Sequence, residues 1–240
     1  MYLLRIFYDI IFVYEELIVM KLTMLGTGAF GYPLTFCNCD NCKNARIYKG
    51  KSIRKRASMF VNDDLIIDLG PDCQSAMIMY EKDMSKVKYL LQTHIHLDHF
   101  DELLLNTRMP YIAMSGHEKL KIYAHPTCLE IMSQRVARYE KADLLTDEGK
   151  EKLKVDSYGI VPGEIVEFGS YKVKAIETTH DIKYGSLLYV IQQGNKTIFY
   201  ATDTPELTEN ALNQLKEFGS IINVGVKKYY NIIFSKKNCN

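Results

Sequence analysis

The amino-acid sequence predicts an α+β fold, and three observations support this class. Two strand-rich blocks occur along the chain, and a helical stretch follows each of them. The 240 residues suit one large domain, and a chain of this size buries roughly 70% of its unfolded surface. The composition, with 47% hydrophobic and 25% charged residues, is ordinary for a globular protein. The net charge of +1 provides no overall field that would attract nucleic acid or a membrane.

The individual strands and helices are predicted from hydrophobic periodicity. In the first block, two of the apolar runs form a hairpin around Asn62-Asp63-Asp64. The second block ends in an amphipathic helix with Leu207, Ala211, Leu212 and Leu215 on one side. Residues 140–156, between the blocks, mix both charges and are predicted to be exposed. The predicted strands are 21–25, 59–61, 65–68, 87–91, 121–124, 165–168, 171–177, 187–192 and 197–201, and the predicted helices are 74–84, 101–107, 126–139 and 206–218.

Residues 1–20 form an apolar stretch that the predicted domain does not need. Asp9, Glu15 and Glu16 interrupt it, which makes it a poor membrane span. It also lacks the small-residue cleavage site of a secretory signal. We therefore expect an N-terminal extension outside the fold, with Met20 as the natural start. The alternative is an amphipathic helix that packs on the domain.

A glycine-rich stretch, Gly26-Thr27-Gly28-Ala29-Phe30-Gly31, follows the first predicted strand. Its G-x-G-x-x-G spacing occurs in dinucleotide-binding proteins, where it opens a helix. Here Pro33 and a Cys-rich segment follow instead, and no acidic residue ends a second strand about twenty positions on. We therefore interpret the stretch as a tight turn that needs the backbone freedom of glycine.

Three of the six cysteines form the cluster Cys37-x-Cys39-x-x-Cys42. Thiolates at this density favour a soft or borderline cation, and Zn²⁺ is the best match. A structural zinc site needs a fourth ligand, for which Cys239 is a weak candidate. The alternative is a set of buried or reactive thiols that hold no metal.

The segment from Cys42 to Ala57 carries seven basic residues and no acidic one. Two interpretations are open: a solvated basic loop, or a local field that attracts an anionic substrate. The basic residues are Lys43, Arg46, Lys49, Lys51, Arg54, Lys55 and Arg56.

Four potential metal ligands lie within the stretch Thr93-His94-Ile95-His96-Leu97-Asp98-His99. The apolar run 87–91 leads into them and predicts a buried strand. His94 and His96 are two positions apart, so that on an extended strand end they project to the same side and can hold one metal. Asp98 and His99 point in a different direction and can hold a second metal close by. A polar loop with chance histidines is the alternative, which the density of ligands disfavours.

This stretch resembles the His-x-His-x-Asp-His motif of the metallo-β-lactamase superfamily. The resemblance implies a further His after a later strand, and an Asp that bridges two metals after the next strand. His180 follows the strand-like run 171–176, and Asp203 follows the strand-like run 197–199. Either residue alone would more often be a surface side chain, but their order behind the first motif favours metal ligands.

The resemblance implies a four-layer αββα sandwich, with helices outside two β-sheets. It also implies a turn like Asp68-x-Gly70, in which we expect Asp68 to support the histidines. The Cys cluster narrows the resemblance to the cyclic-phosphate phosphodiesterase branch, where such a cluster holds a structural zinc. The implied ligands are His94, His96, His180 and Asp203 for one metal, and Asp98, His99 and the bridging Asp203 for the other; Asp98 and Asp203 are also the implied catalytic residues.

The resemblance further implies one His near the C-terminus that completes the second metal site and another that acts as general acid. All six histidines of this sequence precede Asp181. We therefore expect a truncated or frame-shifted member, with a metallo-β-lactamase-like domain at 21–218 and an atypical tail at 219–240. Such a chain is expected to bind one metal tightly and a second weakly, with feeble turnover.

Together these features predict a cytoplasmic, metal-dependent hydrolase that cleaves small, possibly cyclic, phosphodiesters through a metal-activated water. One or two Zn or Mn ions are expected at the His/Asp site, because such ligands suit both metals. The expected partner is a small anionic substrate; a membrane is not expected, and nucleic acid is not favoured. The alternatives are an inactive metal-binding remnant of the family and a nuclease that processes tRNA 3′ ends; lactam or thioester hydrolysis is also possible on this fold.

Overall fold

The computed structural model describes residues 20–113, 116–140, 142–219 and 221–226. The predicted N-terminal extension, up to residue 19, and the part of the predicted tail beyond residue 226 lie outside these ranges. Within them the β-strands form two sheets. The first sheet contains, in spatial order, β1 (Leu22–Gly26), β2 (Ser58–Val61), β3 (Leu65–Ile67), β4 (Tyr89–Leu91), β5 (Leu120–Ala124) and β6 (Val155–Gly159).

The two sheets differ in how their strands run. In the first sheet, β1, β2 and β3 are antiparallel, whereas β3, β4, β5 and β6 are parallel neighbours. The second sheet is antiparallel except for its last pair, because β11 runs parallel to β10. Its spatial order is β11 (Ile222–Val226), β10 (Lys196–Thr202), β9 (Leu187–Gln193), β8 (Tyr171–Glu177) and β7 (Ile165–Phe168).

Helices cover the outer faces of both sheets, and this arrangement gives four layers. One apolar cluster joins the first sheet to its helices, a second fills the space between the sheets, and a third joins the second sheet to α6. The αββα sandwich is therefore confirmed. The helices are α1 (Asp40–Tyr48), α2 (Cys73–Met79), α3 (Glu102–Asn106), α4 (Pro126–Glu140), α5 (Asp147–Leu153) and α6 (Glu209–Lys216). None of the helices in the described ranges is both long enough and apolar enough to cross a membrane.

Two strands were not predicted, β6 and β11, and β11 lies in the predicted atypical tail although it pairs with β10. Two further parts of the chain differ from the sequence prediction. Residues 140–156 were predicted to be exposed, but this is wrong, because they contain α5, and Leu144 and Leu153 are fully buried. The charged residues of this stretch occupy the outer side of α5, and the few apolar ones face the core. The second difference is α1, which begins inside the Cys cluster and turns the first part of the basic segment into a helix. By contrast, no helix begins at the glycine-rich stretch, as the following Pro33 predicted.

The parallel pairing of β3 and β4 positions the candidate site. Ile67 lies opposite Leu91, so that both strands end at the same edge of the first sheet. Asp68 follows β3 directly, and the His-rich stretch follows β4. The carboxyl ends of neighbouring parallel strands form a common edge where loops from separate parts of the chain meet.

Candidate metal centre

Asp68 is the buried centre of the hydrogen-bond network at this edge. Its side chain is fully buried, and its backbone adopts a left-handed conformation with φ of 61°. The carboxylate accepts hydrogen bonds from the backbone N–H of Thr93 (2.8 Å) and the hydroxyl of Thr93 (2.7 Å). It also lies 2.7 Å from Nδ1 of His99. Asp68 therefore fixes the orientation of the His99 ring, with Nε2 directed away from the carboxylate.

Gln92 is a second buried side chain that holds the loop after β4. Its amide group donates hydrogen bonds to the backbone carbonyls of His94 (2.8 Å) and His99 (3.0 Å) and to the carboxylate of Asp68 (3.1 Å). The backbone carbonyl of Gln92 accepts a hydrogen bond from the hydroxyl of Tyr189, in the second sheet, at 2.8 Å. The loop that carries the histidines is thus held by both sheets.

Gly70 allows the two loops to approach closely. A Cβ atom at this position would lie 2.5 Å from the backbone oxygen of Asp98. Such a distance is not tolerated, so a side chain here would push the His-rich loop away from the turn after β3.

His94 lies at the centre of a group of four imidazole rings. Its ring centroid is 4.0 Å from that of His99, 4.7 Å from that of His96 and 4.9 Å from that of His180. Nδ1 of His94 lies 2.9 Å from the Thr93 hydroxyl. Nε2 is buried and has no hydrogen-bond partner among the described residues. A buried nitrogen without a partner is costly unless a ligand satisfies it.

Two sets of potential ligands share His94. His94, His96 and His180 form one set, and His94, His99 and Asp203 form the other; within each set the ligand atoms lie within 4.8 Å of one another. The sets come from loops after β4, β8 and β10, so that both sheets contribute. The grouping differs from the implied one in two ways: Asp203 does not join His94, His96 and His180, and His94 joins His99 and Asp203.

Two aspartates complete the surroundings of these sets. Asp98, an implied ligand, is in neither set, but its carboxylate lies 3.5 Å from Nε2 of His99. Asp181 was not among the predicted site residues, yet its carboxylate contacts Nε2 of His96. Asp181 and Asp203 both have left-handed backbones, with φ of 44° and 54°. Strained backbone of this kind concentrates at functional sites. The feature of the sequence that pointed to Asp181 was that this residue directly follows His180.

The pKa values at the site follow from burial and from the neighbouring charges. Burial, assisted by the charges of the surrounding imidazoles, holds the pKa of His94 far below its usual range. Burial also lowers the pKa of His180. Burial acts to lower the pKa of His99 as well, but the carboxylates of Asp68 and Asp203 raise it to about 10. His94 and His180 therefore present neutral imidazoles, the form that binds metals.

The donor set fits a divalent metal ion. It offers neutral imidazole nitrogens, carboxylate oxygens and the buried Nε2 of His94, which has no partner among the described residues, whereas Nε2 of His99 lies 2.6 Å from the Asp203 carboxylate. Such ligands suit Zn, Mn and Fe. The support of His99 by Asp68 is the carboxylate–histidine arrangement that metal-binding histidines usually have.

Cys37, Cys39 and Cys42 form a third potential ligand set. The sulfur atoms of Cys37 and Cys39 are 3.3 Å apart. Cys39 precedes α1, and hydrogen bonding to the backbone N–H of Cys42 lowers the pKa of its thiol. A lowered pKa favours the thiolate, which is the ligand form. Among the described residues no fourth Cys, His or acidic ligand joins this set.

Part of the basic segment is engaged in structure. Arg56 forms a two-pronged ion pair with Asp72, with nitrogen–oxygen distances of 2.6 and 2.8 Å. Arg46 donates to the backbone carbonyl of Cys37 at 2.7 Å and so fixes the Cys-bearing loop. These two residues hold the segment in place. Lys43 is also paired, with Asp40, and Arg54 donates to the Thr27 hydroxyl, so that only part of the segment is left to attract an anion.

The fold places the chain among proteins of the metallo-β-lactamase fold, which are mostly hydrolytic enzymes. A family model described as a beta-lactamase superfamily domain matches residues 64–230. The chain belongs to this superfamily, and the resemblance inferred from the His-rich motif is confirmed. No curated protein matches the sequence.

Solved structures of three similar proteins share this fold. A diphosphatase from the PhnP family is 22% identical, with a TM-score of 0.57, and the similarity covers 81% of this chain and 68% of the other. Zn²⁺-bound PqqB from Methylobacterium extorquens is 20% identical, with a TM-score of 0.62 and coverage of 80% and 68%. The short form of human tRNase Z is 17% identical, with a TM-score of 0.53 and coverage of 79% and 71%. At these identities the likeness shows the fold alone.

Proposed function

We propose that this protein hydrolyses small, possibly cyclic, phosphodiesters at one or two Zn or Mn ions. The observation that carries the proposal is the buried Nε2 of His94, which has no partner among the described residues and is shared by both ligand sets. The proposed ligands are His94, His96, Asp98, His99, His180 and Asp203. Asp98 and Asp203 are also the proposed catalytic residues.

A metal ion bound by these side chains would supply a Lewis acid and an activated water. The protein contributes orientation and charge. Asp68 holds the His99 ring through Nδ1, while His99 lowers the pKa of Asp203 against the opposing effect of burial. Asp203 is therefore an ionised carboxylate, ready to act as a ligand.

The substrate class is inferred from charge. Divalent ions bound at the site would present local positive charge, which suits an anionic phosphodiester and its charged transition state, even though the carboxylates of Asp68, Asp98, Asp181 and Asp203 lie nearby. Two proteins of the same fold are named as a diphosphatase and a tRNase, and both names denote cleavage of phosphate linkages. Exposed Lys49, Lys51 and Arg54 add positive charge elsewhere on the surface, which keeps the nuclease as the second candidate.

We also propose that Cys37, Cys39 and Cys42 hold a structural zinc. The convergence of their sulfur atoms supports this, and so does the lowered pKa of Cys39. The described cysteines are free thiols. Free thiols are typical of a reducing compartment, and we propose a cytoplasmic location for that reason.

The test is hydrolysis of bis(p-nitrophenyl) phosphate by the full chain, with Mn²⁺ or Zn²⁺ added. We expect metal-dependent turnover that His96→Gln removes. His117→Gln is the matched control, because His117 belongs to neither ligand set, and it should retain the activity. Metal binding at the site without turnover would instead support the inactive remnant. Preferential cleavage of a tRNA precursor over the small diester would support the nuclease.

A further inference from the structure

A cavity of about 300 Å³ lies on the helix side of the first sheet. Its walls come from β3, β4, α2 and α3, and none of the proposed metal ligands lines it. Its volume is at the low end for small-molecule sites, which are mostly apolar with a few polar groups. The apolar walls include Ile66, Leu69, Met77, Leu90, Leu104 and Leu105.

One charged side chain, Arg108, lines this cavity. Its guanidinium donates hydrogen bonds to three backbone carbonyls: those of Leu153 (2.9 Å), Glu118 (2.6 Å) and Lys154 (2.9 Å). Two of these carbonyls are at the end of α5, so that Arg108 has a structural role as a cap. The contacts fix the guanidinium but do not neutralise its charge.

Arg108 has no carboxylate partner among the described residues. Burial lowers its pKa to about 10, and no acidic group opposes this effect. The charges of Arg108 and Lys154 also contribute to lowering the pKa of His117. The field at this end of the cavity is therefore positive. A half-buried guanidinium without a counter-charge is unusual, because buried charges are normally paired.

We propose that this cavity binds an amphipathic anion, with its carboxylate on Arg108 and its apolar part against the leucine-rich walls. A medium-chain or aryl carboxylate combines the two chemistries that the cavity presents. The three carbonyl contacts use Nε and Nη2 of Arg108 and hold the guanidinium in one orientation, which leaves the N–H groups of Nη1 to donate to the carboxylate. Burial of the apolar part in the cavity removes apolar surface from water and so increases the affinity.

The probe for the test is octanoate, and 1-octanol is the neutral molecule of the same chain length. Binding to the full chain is measured by calorimetry. We expect octanoate to bind about tenfold or more tightly than 1-octanol, because only the carboxylate can pair with Arg108. Octanoate should also raise the thermal midpoint of unfolding, since it binds the folded protein.

Two variants test the location. Arg108→Gln should reduce octanoate affinity to that of 1-octanol, while Arg138→Gln, which removes an exposed charge on α4 away from the cavity, should leave it unchanged. Leu104→Trp fills the cavity but keeps Arg108, and it should weaken both probes. If Arg108→Gln does not fold because the cap is lost, the binding of the two probes to Leu104→Trp tests the location by itself. Absence of octanoate binding, equal binding of the two probes, or full binding by Leu104→Trp would overturn the proposal.

Discussion

The His/Asp site and the Cys cluster are both candidate metal centres, but they are built in different ways. The His/Asp site draws on loops from both sheets, and His94, His99 and Asp68 are almost completely buried. The Cys cluster comes from six consecutive residues, and its members range from the exposed Cys39 to the buried Cys42. One site depends on the whole fold, while the other depends on one turn and the start of α1.

This difference determines how each site should respond to substitution. At the His/Asp site, buried hydrogen bonds orient the ligands before metal arrives, so that supporting residues matter nearly as much as ligands. At the Cys cluster, few contacts orient the thiols, so that bound metal itself should organise the loop. Substitutions should therefore affect the two metals independently.

The largest expected effect is at His94, because both ligand sets use it. His94→Gln should remove metal from the His/Asp site, with a loss of affinity beyond the roughly 10–100-fold typical of changes outside the ligand shell. Zinc at the Cys cluster should remain. Metal content measured by mass spectrometry checks both statements. Loss of all zinc from the protein would show that the two centres are coupled.

Asp68→Asn should have the next largest effect. The amide keeps the size of the side chain but loses the charge that pairs with His99, and a roughly 10–100-fold loss of metal affinity is expected. Asp147→Asn is the control, because Asp147 is exposed on α5 and belongs to none of the ligand sets. Zinc affinity from competition with a chelator is the measurement. Unchanged affinity in Asp68→Asn would mean that Asp68 serves the fold alone.

Cys39→Ser should lower the zinc content by one equivalent and leave the His/Asp site filled. The physical reason is that a hydroxyl is a poor replacement for a thiolate ligand of zinc. Cys128→Ala is the control, since Cys128 is buried away from the cluster and should keep all the zinc. If Cys39→Ser and the wild type hold equal zinc, the three cysteines are ordinary thiols.

The smallest expected effect concerns the Arg56–Asp72 ion pair, which ties the basic segment to α2. The Arg56 hydrogen bond, opposed by burial, lowers the pKa of Asp72 below its usual range. A lowered carboxyl pKa stabilises the fold above the unfolded pKa of roughly 3.9, and this stabilisation is lost as pH falls through the folded pKa. Asp72→Asn should therefore cost about 1 kcal/mol at pH 7 and progressively less in acid.

Urea unfolding at several pH values measures this difference. Glu148→Gln breaks an exposed pair with Lys152 on α5 and should change the unfolding free energy by less than about 0.5 kcal/mol. If the unfolding free energy that Asp72→Asn loses does not become smaller in acid, the carboxamide disturbs packing rather than the charge pair.

The sequence alone predicted nine of the eleven strands in the described residues, all but β6 and β11, and the identity of most candidate ligands. Apolar runs of the right length predict strands wherever they are buried, as at β4 and β10. The motif around His94 was readable because its ligands are adjacent in the chain. Short helices with mixed charge carry no such pattern, and α5 was missed for that reason.

Only the tertiary structure decided which ligands meet. The left-handed turn at Asp68, the contact of Asp181 with His96 and the place of His94 in one set with His99 and Asp203 were decided by how loops from both sheets meet. The surroundings of Arg108 were likewise decided by the tertiary structure. In the sequence Arg108 resembles an ordinary surface cation, but it lines an apolar cavity and has no carboxylate partner among the described residues. Local periodicity reports which residues are buried, whereas the distances between loops are set by how the two sheets pack against each other.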